Sequence, residues 1–194
     1  MAHMNQYPDS PPAGYPACFE QEIRLPDGHL LWARPIVPGD ADILAAEFSA
    51  ADDATLYARF FTRSFDLTKD RLRYLTEIDY ATHLALAVMT IGGEHPDGVA
   101  IGRYAATTAT DVEAAVVVKP RYRRLGIAGI LVELLATAAT SAGYSTMSAS
   151  HLADNTAADR LLGRMGFSGG RLENGVVVEA SRILRGDPAT IGSA

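Results

Sequence analysis

Three arginines and a glycine crowd into Arg121-Tyr122-Arg123-Arg124-Leu125-Gly126, directly after the apolar run Val116-Val117-Val118 and the pair Lys119-Pro120. Ile127, Ala128 and Gly129 then open an apolar stretch of helical period. That combination suits a pyrophosphate. Such a group needs several backbone N–H donors converging on one place, with positive charge nearby. A helix start supplies both free N–H groups and the positive end of the helix dipole. Gly126 and Ala128 are small where backbone must come close to a ligand. Pro120 keeps the chain before the loop extended. A dinucleotide fingerprint requires G-x-G-x-x-G, and only Gly126-x-x-Gly129 is present; no G-x-x-x-x-G-K-[ST] run exists. The alternative reading of these residues is a solvated basic loop that caps a helix.

Other chemistry-bearing residues are scattered. Glu113 stands inside the apolar run Val112 to Val118. His83 and His151 lie at strand ends, where a lone histidine is a packing or hydrogen-bonding residue more often than a ligand. No His, Cys, Asp or Glu grouping has metal-ligand spacing, so no metal is expected. The single cysteine, Cys18, cannot form an internal disulfide. The aromatic pair Phe60-Phe61 reads as core rather than a substrate platform.

The elements that must position these groups follow from period and punctuation. Glu22–Leu25 and Leu30–Ala33 flank Pro26-Asp27-Gly28 and predict a hairpin. Asp40 is placed to cap a helix carrying Ile43, Leu44 and Phe48 on one face. Short helices are predicted over Asp53–Phe61 and from Thr68, with Leu72, Leu75 and Ile78 recurring. Strands are predicted over His83–Ile91, Val99–Thr107 and Val112–Val118. A long helix follows from Ala128 to Ala142, with Ile130, Leu131, Leu134, Leu135 and Ala138 as its stripe and Gly143 as its stop. Thr146–Leu152 is a strand, Asp154 or Asn155 caps another helix, and Asn174-Gly175 turns a hairpin into a last strand, Val176–Ile183. The order predicts a mixed α/β (α+β) domain around a mostly antiparallel sheet.

The 194 residues fit one domain: a tail over 1–19, a body over 20–187 and a short tail over 188–194. Met1 to Met4 reads as a cloning remnant ahead of a native start at Met4. The formal net charge of -6 argues against nucleic acid as a partner. No apolar run approaches a membrane span and no signal peptide is visible, so a cytoplasmic location is expected.

Arg123-x-x-Gly126-x-Ala128 resembles the motif with which GNAT N-acetyltransferases cradle the pyrophosphate of acetyl-CoA. Asn155, Ala158, Leu161, Gly166 and Phe167 resemble the second block of that family, N-x-x-A-x-x-L-Y-x-x-x-G-F. Arg34-Pro35-Ile36-x-Pro38-x-Asp40, Arg59-Phe60-Phe61, Asp79-Tyr80 with His83, and Ala85-Leu86-Ala87 are similar to bacterial Pat-type protein lysine acetyltransferases. So is Glu113 in its strand. The resemblance runs from about Leu25 to Phe167.

The resemblance implies the GNAT fold and acetyl-CoA as co-substrate. It assigns the cofactor to Val116, Val117, Val118, Arg123, Arg124, Leu125, Gly126, Ile127, Ala128, Gly129 and Asn155. The strand at Val116–Val118 would splay and offer its backbone to the pantetheine and the thioester carbonyl. Glu113 would be the general base, partly buried at a strand end with a raised pKa. Attack would be direct, so Cys18 is not required. The tyrosine that usually protonates the leaving thiolate is replaced by Leu162, as in many Pat-like proteins; Tyr122 and Tyr144 are near in sequence. Pat proteins often carry a regulatory domain, for which 194 residues leave no room. A lysine of a protein is the expected acceptor. A small amine, or a CoA-binding module without turnover, are the alternatives.

Overall fold

The computed structural model describes residues 11–61, 66–92 and 96–184, without the side chains of residues 58–60. The cloning remnant, the start of the N-terminal tail, the C-terminal tail and the side chains of Arg59 and Phe60 lie outside the described residues.

Eight strands form one sheet: β1 (Gln21–Arg24), β2 (Leu30–Pro35), β3 (His83–Thr90), β4 (Gly98–Ala106), β5 (Asp111–Val118), β6 (Thr146–Leu152), β7 (Ser168–Glu173) and β8 (Val177–Ile183). Their spatial order is β1-β2-β3-β4-β5-β6-β8-β7. Every neighbouring pair is antiparallel except β5 and β6. Helices α1 (Ala41–Ala50), α2 (Asp53–Phe60) and α3 (Lys69–Thr76) come before β3; α4 (Ile127–Ser141) and α5 (Thr156–Arg164) flank β6. The expected mixed, mostly antiparallel sheet with flanking helices is what the chain forms.

Strand alternation sorts side chains onto the two faces of the sheet. Leu84, Leu86, Val88, Tyr104, Val112 and Ala114 join the main core with Leu131, Leu135, Ala138 and Ala139 of α4. Ile36, Ala85, Leu44 and Leu75 form a second cluster, with Phe48 and Ile101 against it. Ile43 is exposed, and α1 packs against the second cluster through Leu44 and Phe48. The α4 stripe is also wider and turned from its expected setting. Ile127, Val132 and Ala136 are buried, while Ile130 and Leu134 sit half-buried on its flank. The helix approaches the sheet over Gly102, where a Cβ would come within 3.2 to 3.4 Å of Leu135, Leu131 and Val116.

Asp40 does not cap α1 as expected. Its side chain makes no bond to the helix start. It is buried against Arg34 and accepts from the Val37 N–H at 2.8 Å. A guanidinium taken out of water needs its carboxylate more than a helix end does, because exposed N–H groups can bond to water. Asn155 does cap its helix, accepting from the Ala158 N–H at 3.1 Å. Residues 11–19, assigned to the tail, are tied down: Tyr15 stands edge-on to Tyr80 and Phe19 packs on the main core.

Candidate active site

The parallel step of the sheet creates the site. β5 and β6 are in register only from Asp111↔Thr146 to Ala114↔Ala149. Beyond Ala114, β5 stays paired with β4, Val116 to Gly102, Val117 to Ile101 and Val118 to Ala100. Its other edge has no strand partner. A β-strand with one open edge presents N–H and C=O groups that an extended ligand can join. Val116 and Val118 pack on the α4 core, and Val117 faces the opposite side of the sheet.

At the end of this open edge lies the basic loop. Arg124 and Gly126 are both left-handed, with φ of 64° and 85°. These two turns bring the chain from β5 into α4. No side chain caps α4, and its first internal bond runs from the Ile130 N–H to the Gly126 carbonyl at 3.2 Å. The N–H groups of Ile127, Ala128 and Gly129 therefore have no helical acceptor. A Cβ at Gly126 would meet nothing within 4 Å, so the space above the loop is open. Open N–H groups, a helix start and a cation fit a pyrophosphate.

The arginines divide their work. Arg124 is exposed and has no hydrogen bond or ion pair among the described residues, which leaves its charge for a ligand. Arg123 instead donates from Nε to the Val118 carbonyl (3.1 Å) and from a terminal nitrogen to Thr55 Oγ1 (3.3 Å). Arg121 pairs with Asp97 and lies over the Tyr122 ring at 4.8 Å. Leu125 is half-buried against the main core and anchors the loop. Asn155 spends its oxygen on the α5 cap; its amide nitrogen makes no bond within the described residues.

Glu113 faces away from the α4 core, since its neighbours Val112 and Ala114 are buried there. It lies in the paired part of β5, one residue before the strands separate. It is exposed, not partly buried, so the expectation that burial would tune it falls away. The reason is its surroundings: its neighbours on this face of β6 are the small Ser148, its register partner, and Ser150, whose Oγ lies 3.5 Å from Glu113 Oε1. Five strand steps separate Glu113 from Val118, about 17 Å. That span suits an extended arm running from the loop to the carboxylate.

Beside this face lies a cavity of about 570 Å³ between the sheet and α1 to α3. Leu44, Phe48, Leu75, Ile101 and Val117 give it apolar walls, with Glu47, Asp97 and Lys119 at one end. Arg103 reaches its floor and was not singled out from sequence. One Arg103 terminal nitrogen lies 3.0 Å from His83 Nε2, and the other donates to the Leu75 carbonyl at 3.4 Å. Burial, with the Arg103 charge beside it, holds the His83 imidazole down to about 4, so at neutral pH Nε2 accepts from Arg103. A lone cation within an apolar strand was the signal for such a pair. His151 is buried, with Nδ1 2.9 Å from the Leu152 carbonyl. Both histidines are thus packing and hydrogen-bonding residues.

The position of the missing tyrosine lies in α5. Leu162 is in the main core. Tyr144 follows the far end of α4, about 22 Å of helix from the basic loop, and packs edge-on against Tyr104. Tyr122 is half-buried against the main core.

Known proteins share this fold. The acetyltransferase Pat of Mycolicibacterium smegmatis is 33% identical over 161 residues, 80% of this chain. The chain spans about half of that relative's length, 46%. The GNAT domain of S. lividans PAT superposes with a TM-score of 0.78 at 29% identity, covering 88% of this chain and 99% of that domain. The Salmonella typhimurium protein yncA, solved with its cofactor acetyl-CoA, shares the fold: TM-score 0.65 at 17% identity over 81% of this chain and 96% of its own. The match to the acetyltransferase (GNAT) family itself covers residues 47–167, and with it the splayed strands, the basic loop and both sequence blocks. The chain belongs to the acetyltransferase (GNAT) family, which uses acetyl-CoA.

Proposed function

We propose that this acetyltransferase modifies the side-chain amine of lysine in a protein, with Glu113 taking the amine proton. The observation that carries the reading is the placement of Glu113. Its carboxylate is exposed on the face opposite α4, one residue before β5 and β6 part. A protein-borne amine needs that exposure. The similarity to Pat proteins supports lysine as the acceptor.

Acetyl-CoA would supply an activated thioester. The residues that would hold it are Arg124, the N–H groups of Ile127 to Gly129, the open edge of Val116–Val118 and the Asn155 amide. Baring a lysine amine at neutral pH costs about 4 to 5 kcal/mol, from a reference pKa near 10.4. A carboxylate within reach lowers that cost by accepting the proton as the amine attacks. The Ser150 hydroxyl stands beside this carboxylate, 3.5 Å from Oε1. The thiol that leaves has a reference pKa near 8.5, so it departs without a dedicated acid. This accounts for Leu162 where other members carry tyrosine.

The apolar cavity beside α1 favours a second reading, a small amine with an apolar body as acceptor. Acetyl-CoA consumption with lysine-bearing proteins and with a small-amine panel separates the two. Transfer to protein lysines that is lost in Glu113→Gln supports the first. Turnover of small amines only, with every protein left unmodified, overturns it.

A further inference from the structure

Three alternate residues of the basic loop reach away from the cofactor side and hold the walls of the cavity. Lys119 Nζ lies 2.8 and 2.7 Å from the two carboxylate oxygens of Glu47 on α1, and 2.9 Å from Asp97 Oδ1 just before β4. Arg121 takes the other oxygen of Asp97. Arg123 reaches Thr55 on α2, next to the Asp52 cap whose carboxyl is held low first by the Thr55 N–H and also by the Arg123 charge. Glu47, Asp52, Thr55 and Asp97 all line the cavity. Lys119 is the half-buried member, clamped between two carboxylates from separate elements. Even the backbone is fitted to this clamp: a Cβ at Gly98 would stand 2.9 Å from Glu47 Oε1.

We propose that Lys119 is a positioning residue that couples acetyl-CoA binding to the order of α1, and so to the shape of the acceptor side. The cofactor's phosphates fix the loop from above. Lys119 cannot then follow Glu47 outward, and α1 loses the freedom to lift from the sheet. The effect runs both ways, because a fixed α1 holds the loop in its binding form. The proposal rests on the acceptor lying on the Glu113 face of the sheet, as proposed above, beside the cavity under α1. Its test needs no acceptor, so it can fail while the lysine reading stands.

The experiment is amide hydrogen exchange of the whole chain with and without saturating acetyl-CoA, followed by mass spectrometry. Protection of the first turn of α4 reports that the cofactor is bound. In wild type, acetyl-CoA should also slow exchange in residues 41–50 by about fivefold or more, the lower end of ordinary coupling. Lys119→Met and Glu47→Gln should abolish this added protection while α4 is still protected, and Lys119→Arg should restore it. A purely structural role for Lys119 would raise exchange in α1 equally with and without acetyl-CoA, leaving the ratio unchanged. That result, or wild-type α1 indifferent to a bound cofactor, overturns the proposal.

Discussion

Arg34 and Asp40, six residues apart, close a two-pronged ion pair of 2.8 and 2.6 Å, with side chains only 1% and 6% exposed. The same carboxylate takes the Val37 N–H, so the pair sets the turn through Pro38 into α1. This gives the motif Arg34-Pro35-Ile36-x-Pro38-x-Asp40 a physical reason. Removing one partner of such a buried pair strands the other charge, at about 3 to 5 kcal/mol. Asp40→Ala should therefore lower the Tm by about 10 °C. Replacing both, as Arg34→Met with Asp40→Leu, should recover much of the loss. Thermal unfolding followed by circular dichroism checks this.

Glu113→Gln removes a proton acceptor and keeps the shape. The expected result is a fall in kcat of about 10² to 10³-fold, within the usual range for a general base. Binding of acetyl-CoA and the Tm should hardly move, because Glu113 is exposed and bonded only weakly. A calorimetric titration beside steady-state rates tests it. An unchanged kcat would return Glu113 to the role of a surface carboxylate.

Arg124 carries two properties that substitution can separate, its charge and its left-handed backbone. Arg124→Ala loses the cation and keeps the strain that a Cβ carries at this angle; Arg124→Gly loses the cation and relieves that strain. Both should weaken acetyl-CoA binding by about 10-fold or more, the worth of a charged hydrogen bond. Arg124→Ala should leave the Tm near that of wild type, and Arg124→Gly should melt no lower than Arg124→Ala. Equal cofactor affinity in wild type and Arg124→Gly would show that the N–H groups suffice.

His83 makes stability depend on pH. Its folded pKa, about 4, is below the reference value of 6.5. The unfolded chain therefore takes up the proton first, and stability is lost as pH falls from about 6.5 towards 4. A shift of that size corresponds to at most about 3 kcal/mol. His83→Gln can still accept from Arg103 but does not titrate. Its unfolding curves between pH 7 and 4 should show a smaller loss than those of wild type. Parallel losses in both would place the acid sensitivity elsewhere.

What the sequence disclosed was local. Thr146–Leu152 forms a strand with the bounds its pattern predicts. Asn174 and Gly175 take the left-handed pair of angles, 49° and 72°, that their hairpin turn demands. Asn155 caps α5. Each of these depends on residues within one turn or one strand. Lys119 and Glu47 are 72 positions apart, and Arg103 and His83 are 20 apart. Their meeting depends on strand order, which no local period encodes. Glu113 shows the boundary well. Alternation with Val112 and Ala114 sets the face it occupies, but whether that face is covered depends on β6 and α2.

The four-pair ladder between β5 and β6 is also a seam. The β4–β5 and β6–β8 ladders on either side carry seven pairs each. The sheet thus consists of a five-stranded leaf and a three-stranded leaf, hinged along a short line of bonds. The shared core and the Glu133–Arg182 bridge from α4 to β8 keep the leaves together. Among the ladders between β2 and β8 the β5–β6 one is the shortest, so tension drawn across those strands meets the fewest bonds there. The gap between β5 and β6 is the fault along which the domain would tear.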